Sequence, residues 1–130
     1  MLLYFHEGLD CAPCWEQIDD IQADLTKFQA LGIAQIAAIS IDPLDAQRAR
    51  AQRTGTTFPV LADPSLTVAN AYGTLGYGMM MGTRPGHTFI LVGPDGKIRW
   101  RADYGGAPNY TMFVPDDTLL AALRQALAGG

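Results

Sequence analysis

Leu2-Leu3-Tyr4-Phe5-His6-Glu7-Gly8-Leu9-Asp10-Cys11-Ala12-Pro13-Cys14-Trp15 is the stretch that decides the fold. Leu2 to Phe5 is apolar without alternation, which reads as a strand buried on both faces. His6 to Asp10 is a short connection. From Cys14 the apolar positions Ile18, Ile21, Leu25 and Phe28 recur at three- and four-residue spacing. That is one face of a helix running to about Leu31, with Gly32 as its stop. Pro13 falls in the first turn, where its missing N–H costs nothing. Strand, Cys-x-x-Cys and helix in that order put two thiols at a helix N-terminus. Unpaired backbone N–H groups and the helix dipole favour negative charge there, and the thiolate is the reactive form of cysteine. The stretch therefore reads as a redox centre, with Cys11 the exposed attacking thiol at the N-cap and Cys14 the more buried resolving thiol.

Working outward, Ile33 to Ile41 reads as a second strand, ended by Asp42-Pro43, and Pro43 to Arg53 as a polar helix closed by Gly55. Phe58 to Leu61 is a short strand that Pro59 confines to an edge or a strand start. Asp63-Pro64-Ser65 opens a short helix ending near Tyr72-Gly73. Gly73 to Gly86 is irregular and holds Met79, Met80, Met81 and Pro85. Thr88 to Val92 is a strand, Gly93-Pro94-Asp95-Gly96 a tight turn, and Lys97 to Trp100 its hairpin partner. A loop from Ala102 to Pro115 leads to a last helix, Thr118 to Ala128, with Asp116 and Asp117 at its favourable end. Parallel crossovers early and a hairpin late predict an α/β architecture, a central mixed sheet with helices on both faces in a single domain over residues 1–130, and around a Cys-x-x-Cys after the first strand this looks like the thioredoxin fold.

Composition narrows the function. Net charge is −4 and the nine Lys and Arg are scattered, which gives no footprint for nucleic acid or an anionic membrane surface. No apolar run approaches the roughly 20 residues of a membrane helix. No signal peptide is evident. Met1 stands directly before the first core strand, so one expectation is a soluble, extracytoplasmic domain of a longer exported or membrane-anchored chain. Nothing in the sequence demands more than a monomer. Two cysteines separated by two residues cannot form a disulfide framework, and His6 and His87, the two histidines, fit the usual zinc spacings poorly.

Several stretches together resemble the redoxin group of the thioredoxin superfamily, which includes the AhpC/TSA peroxiredoxins and the TlpA-like thiol–disulfide oxidoreductases. Phe58-Pro59-Val60-Leu61-Ala62-Asp63-Pro64 with Val68-Ala69-Asn70-Ala71-Tyr72-Gly73 is similar to a peroxiredoxin segment. Thr88 to Ile98 is similar to the late hairpin of the whole group. The resemblance implies a Cys-x-x-Cys thiol–disulfide oxidoreductase of antioxidant type that needs no cofactor. It would act on a protein disulfide or a hydroperoxide and be recharged by an upstream thiol reductant. A thiol peroxidase, with Cys11 peroxidatic and Cys14 resolving, is the alternative. Peroxiredoxins carry a Thr or Ser three residues before the peroxidatic cysteine and a Pro seven before; here those positions are Gly8 and Tyr4. The resemblance also implies that Arg84 stands for the peroxiredoxin arginine and Pro85 for a cis-proline packed on the disulfide.

Most of the supporting residues carry two readings. His6 and Glu7 are either proton acceptors for Cys14 or solvated loop residues. Trp15 is a half-buried cover over the disulfide. The methionines are gap-fillers or an adaptable surface. His87 is a hydrogen-bonded residue at a strand start. Alternatively it resembles the histidine of Sco-like copper proteins, which would make Cys11, Cys14 and His87 a copper ligand set.

Overall fold

The computed structural model describes residues 1–77, 85–106 and 110–128. Five strands, β1 (Leu2–Phe5), β2 (Ile36–Ser40), β3 (Val60–Ala62), β4 (His87–Val92) and β5 (Ile98–Tyr104), form one sheet in the order β3-β2-β1-β4-β5. β1 runs parallel to β2, and β2 to β3; β4 is antiparallel to both β1 and β5. The sheet is thus mixed, as the connections require: parallel neighbours need crossovers, and the two-strand hairpin does not. The helices are α1 (Ala12–Ala23), α2 (Leu25–Ala30), α3 (Leu44–Thr54), α4 (Thr67–Ala71) and α5 (Asp116–Ala128).

β1 is central, and its side chains alternate between two cores. Leu2 and Tyr4 pack with Ile18 and Ile21 of α1, Ala51 of α3, and Leu119 and Leu123 of α5. Leu3 and Phe5 face the other way, onto Ala37, Ile39, Ile90 and Ala69 of α4. Both faces of the strand are therefore dry, and its composition has no polar alternation.

Several boundaries differ from the sequence expectation. The helix after the cysteines is two helices, broken at Asp24 (φ −106°, ψ 21°). The apolar stripe of Ile21, Leu25 and Phe28 runs through the break, so periodicity alone cannot reveal it. β2 begins at Ile36 rather than Ile33. The third strand is shifted to Val60–Ala62 at the sheet edge; the Pro59 carbonyl still accepts the Ala38 N–H at 3.0 Å. β5 continues past Trp100 to Tyr104, because Asp103 is held there by the Thr88 hydroxyl at 2.8 Å and by Arg101 Nε at 2.9 Å. α4 is shorter than expected, and Asp63 secures its start by accepting the N–H groups of Val68 and Ala69 at 3.1 and 2.8 Å. Gly55 closes α3 in the left-handed region (φ 79°), as its position implied.

Candidate active site

Cys11 is the N-cap residue of α1, and Pro13 lies in the first turn. The Cys11 carbonyl accepts the N–H groups of Cys14 and Trp15, and Cys11 Sγ also accepts from the Cys14 N–H at 3.3 Å. Sulfur thus occupies the position where helix N–H groups lack partners. Cys11 and Cys14 form a disulfide with their Cα atoms 5.3 Å apart. Cys14 is completely buried, and Cys11 is half-buried. The preceding loop is fixed by two backbone N–H bonds, Cys11 to the Gly8 carbonyl and Leu9 to the Asp42 carboxylate after β2.

The sheet brings His87 to this helix start. β4 pairs with β1 so that Phe5 faces Thr88. His87, one residue earlier, therefore sits beside the point where β1 runs into the cysteine loop. Its Nε2 lies 2.9 Å from Cys14 Sγ and 3.4 Å from Cys11 Sγ, and its Nδ1 lies 3.4 Å from the Tyr4 hydroxyl. Burial lowers His87 to about 4, opposed by a backbone hydrogen bond with Met112. The imidazole is therefore neutral at physiological pH. Gly105 lets β5 end close against it: at φ +88°, a Cβ there would stand 3.2 Å from the His87 backbone nitrogen and 3.4 Å from its ring.

His6 and Glu7 are not solvated loop residues. His6 is fully buried and Glu7 nearly so. His6 Nδ1 accepts the Gly8 N–H at 3.2 Å, and burial together with the neighbouring His87 lowers His6 to about 3. Its ring stacks on Tyr4 at 5.3 Å and meets Trp15 edge-on at 5.8 Å. Tyr4 is raised well above 10 by burial and by the Glu7 carboxylate. Trp15 is buried rather than half-buried, with the Arg50 guanidinium 4.9 Å over its ring. The disulfide thus rests on a dry layer of Tyr4, His6, Trp15 and His87. The loops of a thioredoxin-like sheet converge at one end, and that convergence is what closes over residues that look loop-like in sequence.

Pro85 is buried just ahead of β4. Arg84 and the methionine run lie outside the described residues. Cys11, Cys14 and His87 each offer an atom within 4.8 Å of the others, so the reduced pair and the imidazole could converge on one metal ion. Two residues near the site carry roles that the sequence reading did not assign. Tyr4 read as core alone, although a hydroxyl in an otherwise hydrocarbon strand is a signal. Gln17 lies on the buried face of α1, where its side-chain amide donates to the Val114 carbonyl at 2.9 Å and accepts the Val114 N–H at 2.7 Å. It pins the chain two residues from Met112.

A mixed sheet with helices on both faces and a Cys-x-x-Cys disulfide at the first helix start makes this a thioredoxin-fold protein. Solved structures agree on the fold. Enterococcus faecalis AhpC superposes with a TM-score of 0.78 at 19% identity, covering 96% of this chain and 72% of that one. Peroxidoxin BcpB of Mycobacterium tuberculosis gives 0.75 at 23%, covering 95% and 77%. The chain belongs to the AhpC/TSA family, whose model matches residues 1–101. A curated relative, "Putative peroxiredoxin Rv2521" of Mycobacterium tuberculosis, is 32% identical over 101 residues, covering 75% of this chain. The chain spans 64% of that relative's length. Among the described residues no helix is long and apolar enough to cross a membrane.

Proposed function

We propose that the chain is a peroxiredoxin-like thiol–disulfide oxidoreductase, a single redoxin domain cycling between the Cys11–Cys14 disulfide and the dithiol. Cys11 thiolate attacks one sulfur of a substrate disulfide, that bond breaks, and the other sulfur leaves as a thiolate. Cys14 then gives its proton to His87 Nε2 and attacks Cys11 Sγ, releasing the second substrate thiolate. The substrate gains two electrons, the cysteine pair loses two, and an upstream thiol reductant restores the dithiol. The resolving step is effectively intramolecular and hence fast.

The observation that carries this reading is the 2.9 Å contact between His87 Nε2 and Cys14 Sγ. A general base must stand within hydrogen-bond reach of the proton it takes. The imidazole is held neutral, so one of its nitrogens carries a free lone pair, and it is Nε2 that faces the sulfurs while Nδ1 faces the Tyr4 hydroxyl. His6 and Glu7 then act behind the disulfide as positioning residues, with Trp15 as its cover and Pro13 fixing the helix start.

The family membership favours a second reading, hydroperoxide reduction. Cys11 thiolate would take the terminal peroxide oxygen to become a sulfenic acid, the O–O bond would break, and the leaving alkoxide would take a proton from water to become the alcohol. Cys14 would then displace hydroxide, protonated by His87, as water. Gly8 supplies no hydroxyl to orient a peroxide, which is why the disulfide reaction is preferred.

Stopped-flow Trp emission of the reduced protein decides between the two. Rapid reaction with a peptide disulfide, and reaction with hydrogen peroxide no faster than a free thiol's, is the expected result. The reverse order would make it a peroxidase. Cys14→Ser should trap a mixed disulfide, and His87→Ala should slow resolution about 100-fold, the lower end of general-base effects. In the dithiol state the same three groups would also suit Cu(I). Equal copper affinity in wild type and His87→Ala would remove that reading.

A further inference from the structure

On the far end of α1 from the cysteines, three carboxylates converge from two helices. Asp20 and Asp24 lie at the end of α1 and the α1–α2 break, and Asp116 opens α5. One oxygen from each lies within 4.8 Å of the others. Asp116 is only 4% exposed, and among the described residues no donor reaches its oxygens, whose neighbours are the carboxylates of Asp24 and Asp20. Burying a carboxylate with no donor is expensive, and structures resolve the cost with a proton or a cation.

Contacts outside the three carboxylates fix part of the scaffold around them. Gln17 holds Val114 through two buried hydrogen bonds. The Thr118 and Leu119 N–H groups return to the Pro115 carbonyl. The Asp116 N–H reaches Asp20 Oδ2 at 3.3 Å. Asp20 and Asp24 are partly exposed, which leaves a solvent side for coordinated water. Lys27, on the outside, approaches Asp24 Oδ1 at 3.4 Å. Asp117 is exposed on the same helix as Asp116.

We propose that Asp20, Asp24 and Asp116 form a binding site for a divalent cation of the calcium class, clamping α5 to the end of α1. All three ligands are hard oxygens, which select against copper and zinc. Calcium holds oxygens at about 2.3–2.6 Å, so opposite ligands stand about 4.8 Å apart. Three carboxylate oxygens that all lie within 4.8 Å of one another are close enough to converge on such a shell. Magnesium demands a tighter octahedron near 2.1 Å, to which two helices and a break are less suited. A proton is the competitor: burial, then the hydrogen-bonding and charge of Asp24 and Asp20, push Asp116 up to about 8.

The site lies apart from the cysteines, so the disulfide form serves for the test and the outcome is independent of the redox chemistry. Calorimetric titration with CaCl2 at pH 8, beside thermal unfolding with and without calcium, is the experiment. One calcium per chain and a Tm rise of several degrees at saturation are expected, since a ligand that binds only the folded state stabilises it. Asp116→Asn and Asp24→Asn should both fold in EDTA and lose the calcium-dependent rise. Absence of stoichiometric binding at millimolar calcium would overturn the proposal and assign the cluster to a shared proton. Equal rises in wild type and both variants would overturn it as well, as would binding of magnesium in preference to calcium.

Discussion

Gly105→Ala is the sharpest test of how β5 shapes the site. The substitution adds one carbon to a residue at φ +88°, 3.2 Å from the His87 backbone nitrogen and 3.4 Å from its ring. The left-handed backbone alone costs a side chain about 1–2 kcal/mol. The remaining cost comes from contact. The backbone nitrogen belongs to β4, whose His87 pairs with Tyr104, so it cannot retreat without breaking register. Gly32 supplies the control: it has φ +90°, and nothing lies within 4 Å of an added Cβ. Gly32→Ala should therefore cost the strain alone. Gly105→Ala should cost about 1 kcal/mol more, in the range of overpacking penalties. Urea denaturation of the two disulfide-form variants measures that difference. A second readout follows from the reaction, since displacement of the His87 ring slows resolution of a mixed disulfide while Gly32→Ala leaves it unchanged. Misplacement of a reacting group by about 1 Å can cost on the order of 100-fold. Equal stability losses and equal resolution rates in the two variants would refute the role given to Gly105.

Three further outcomes are expected. His6 and His87, held neutral at about 3 and about 4, bind fewer protons folded than unfolded. Their stabilisation is complete above the unfolded value near 6.5 and is lost as pH falls below it, by about 2 kcal/mol per ring at pH 5. His87→Gln should show a shallower decline from pH 7 to 5 in urea titrations, and an unchanged decline would contradict the burial argument. Gln17→Ala removes both buried bonds to Val114 and should cost about 2–4 kcal/mol, read by thermal unfolding, because two backbone groups lose their partners. Asp63→Ala uncaps α4 and should cost about 1–2 kcal/mol; a loss below a few tenths would mean that the Val68 and Ala69 N–H groups find other partners.

The parts of the fold that were legible are those set by local chemistry. The apolar run of Leu2 to Phe5, the proline and cysteines at a helix start, Gly55 as a left-handed stop and the Gly93–Gly96 turn each act within a few residues. Their positions agree with the structure. The misjudged parts are set by contacts far apart in sequence. His6 and Glu7 carry a solvated-loop reading beside that of proton acceptor because nothing nearby announces that they will be buried. The Tyr4–His87 contact spans 83 residues, and the Gln17–Val114 clamp spans 97. The break at Asp24 leaves no mark on the apolar period, since Leu25 and Phe28 continue the stripe; what accompanies it in the structure is the meeting with Asp116. One miss did carry a local signal. Trp100, Ala102 and Tyr104 alternate with Arg101 and Asp103, a two-residue period that marks the strand beyond Trp100. The copper reading of His87 implies that it lies near both cysteines, and the pairing of β4 with β1 supplies the physical reason for that contact.

The complete burial of one cysteine and the partial exposure of the other give the pair a direction in space. After reduction, a bulky maleimide that cannot enter the core should label one thiol per folded molecule and two after denaturation. The outer cysteine is the one partly open to solvent, while the inner one waits behind it in a layer that solvent does not reach. An adduct on the outer sulfur is therefore dislodged from within, by a group already in place. A second oxidant arriving from solution has to outrun an attack that needs no diffusion at all.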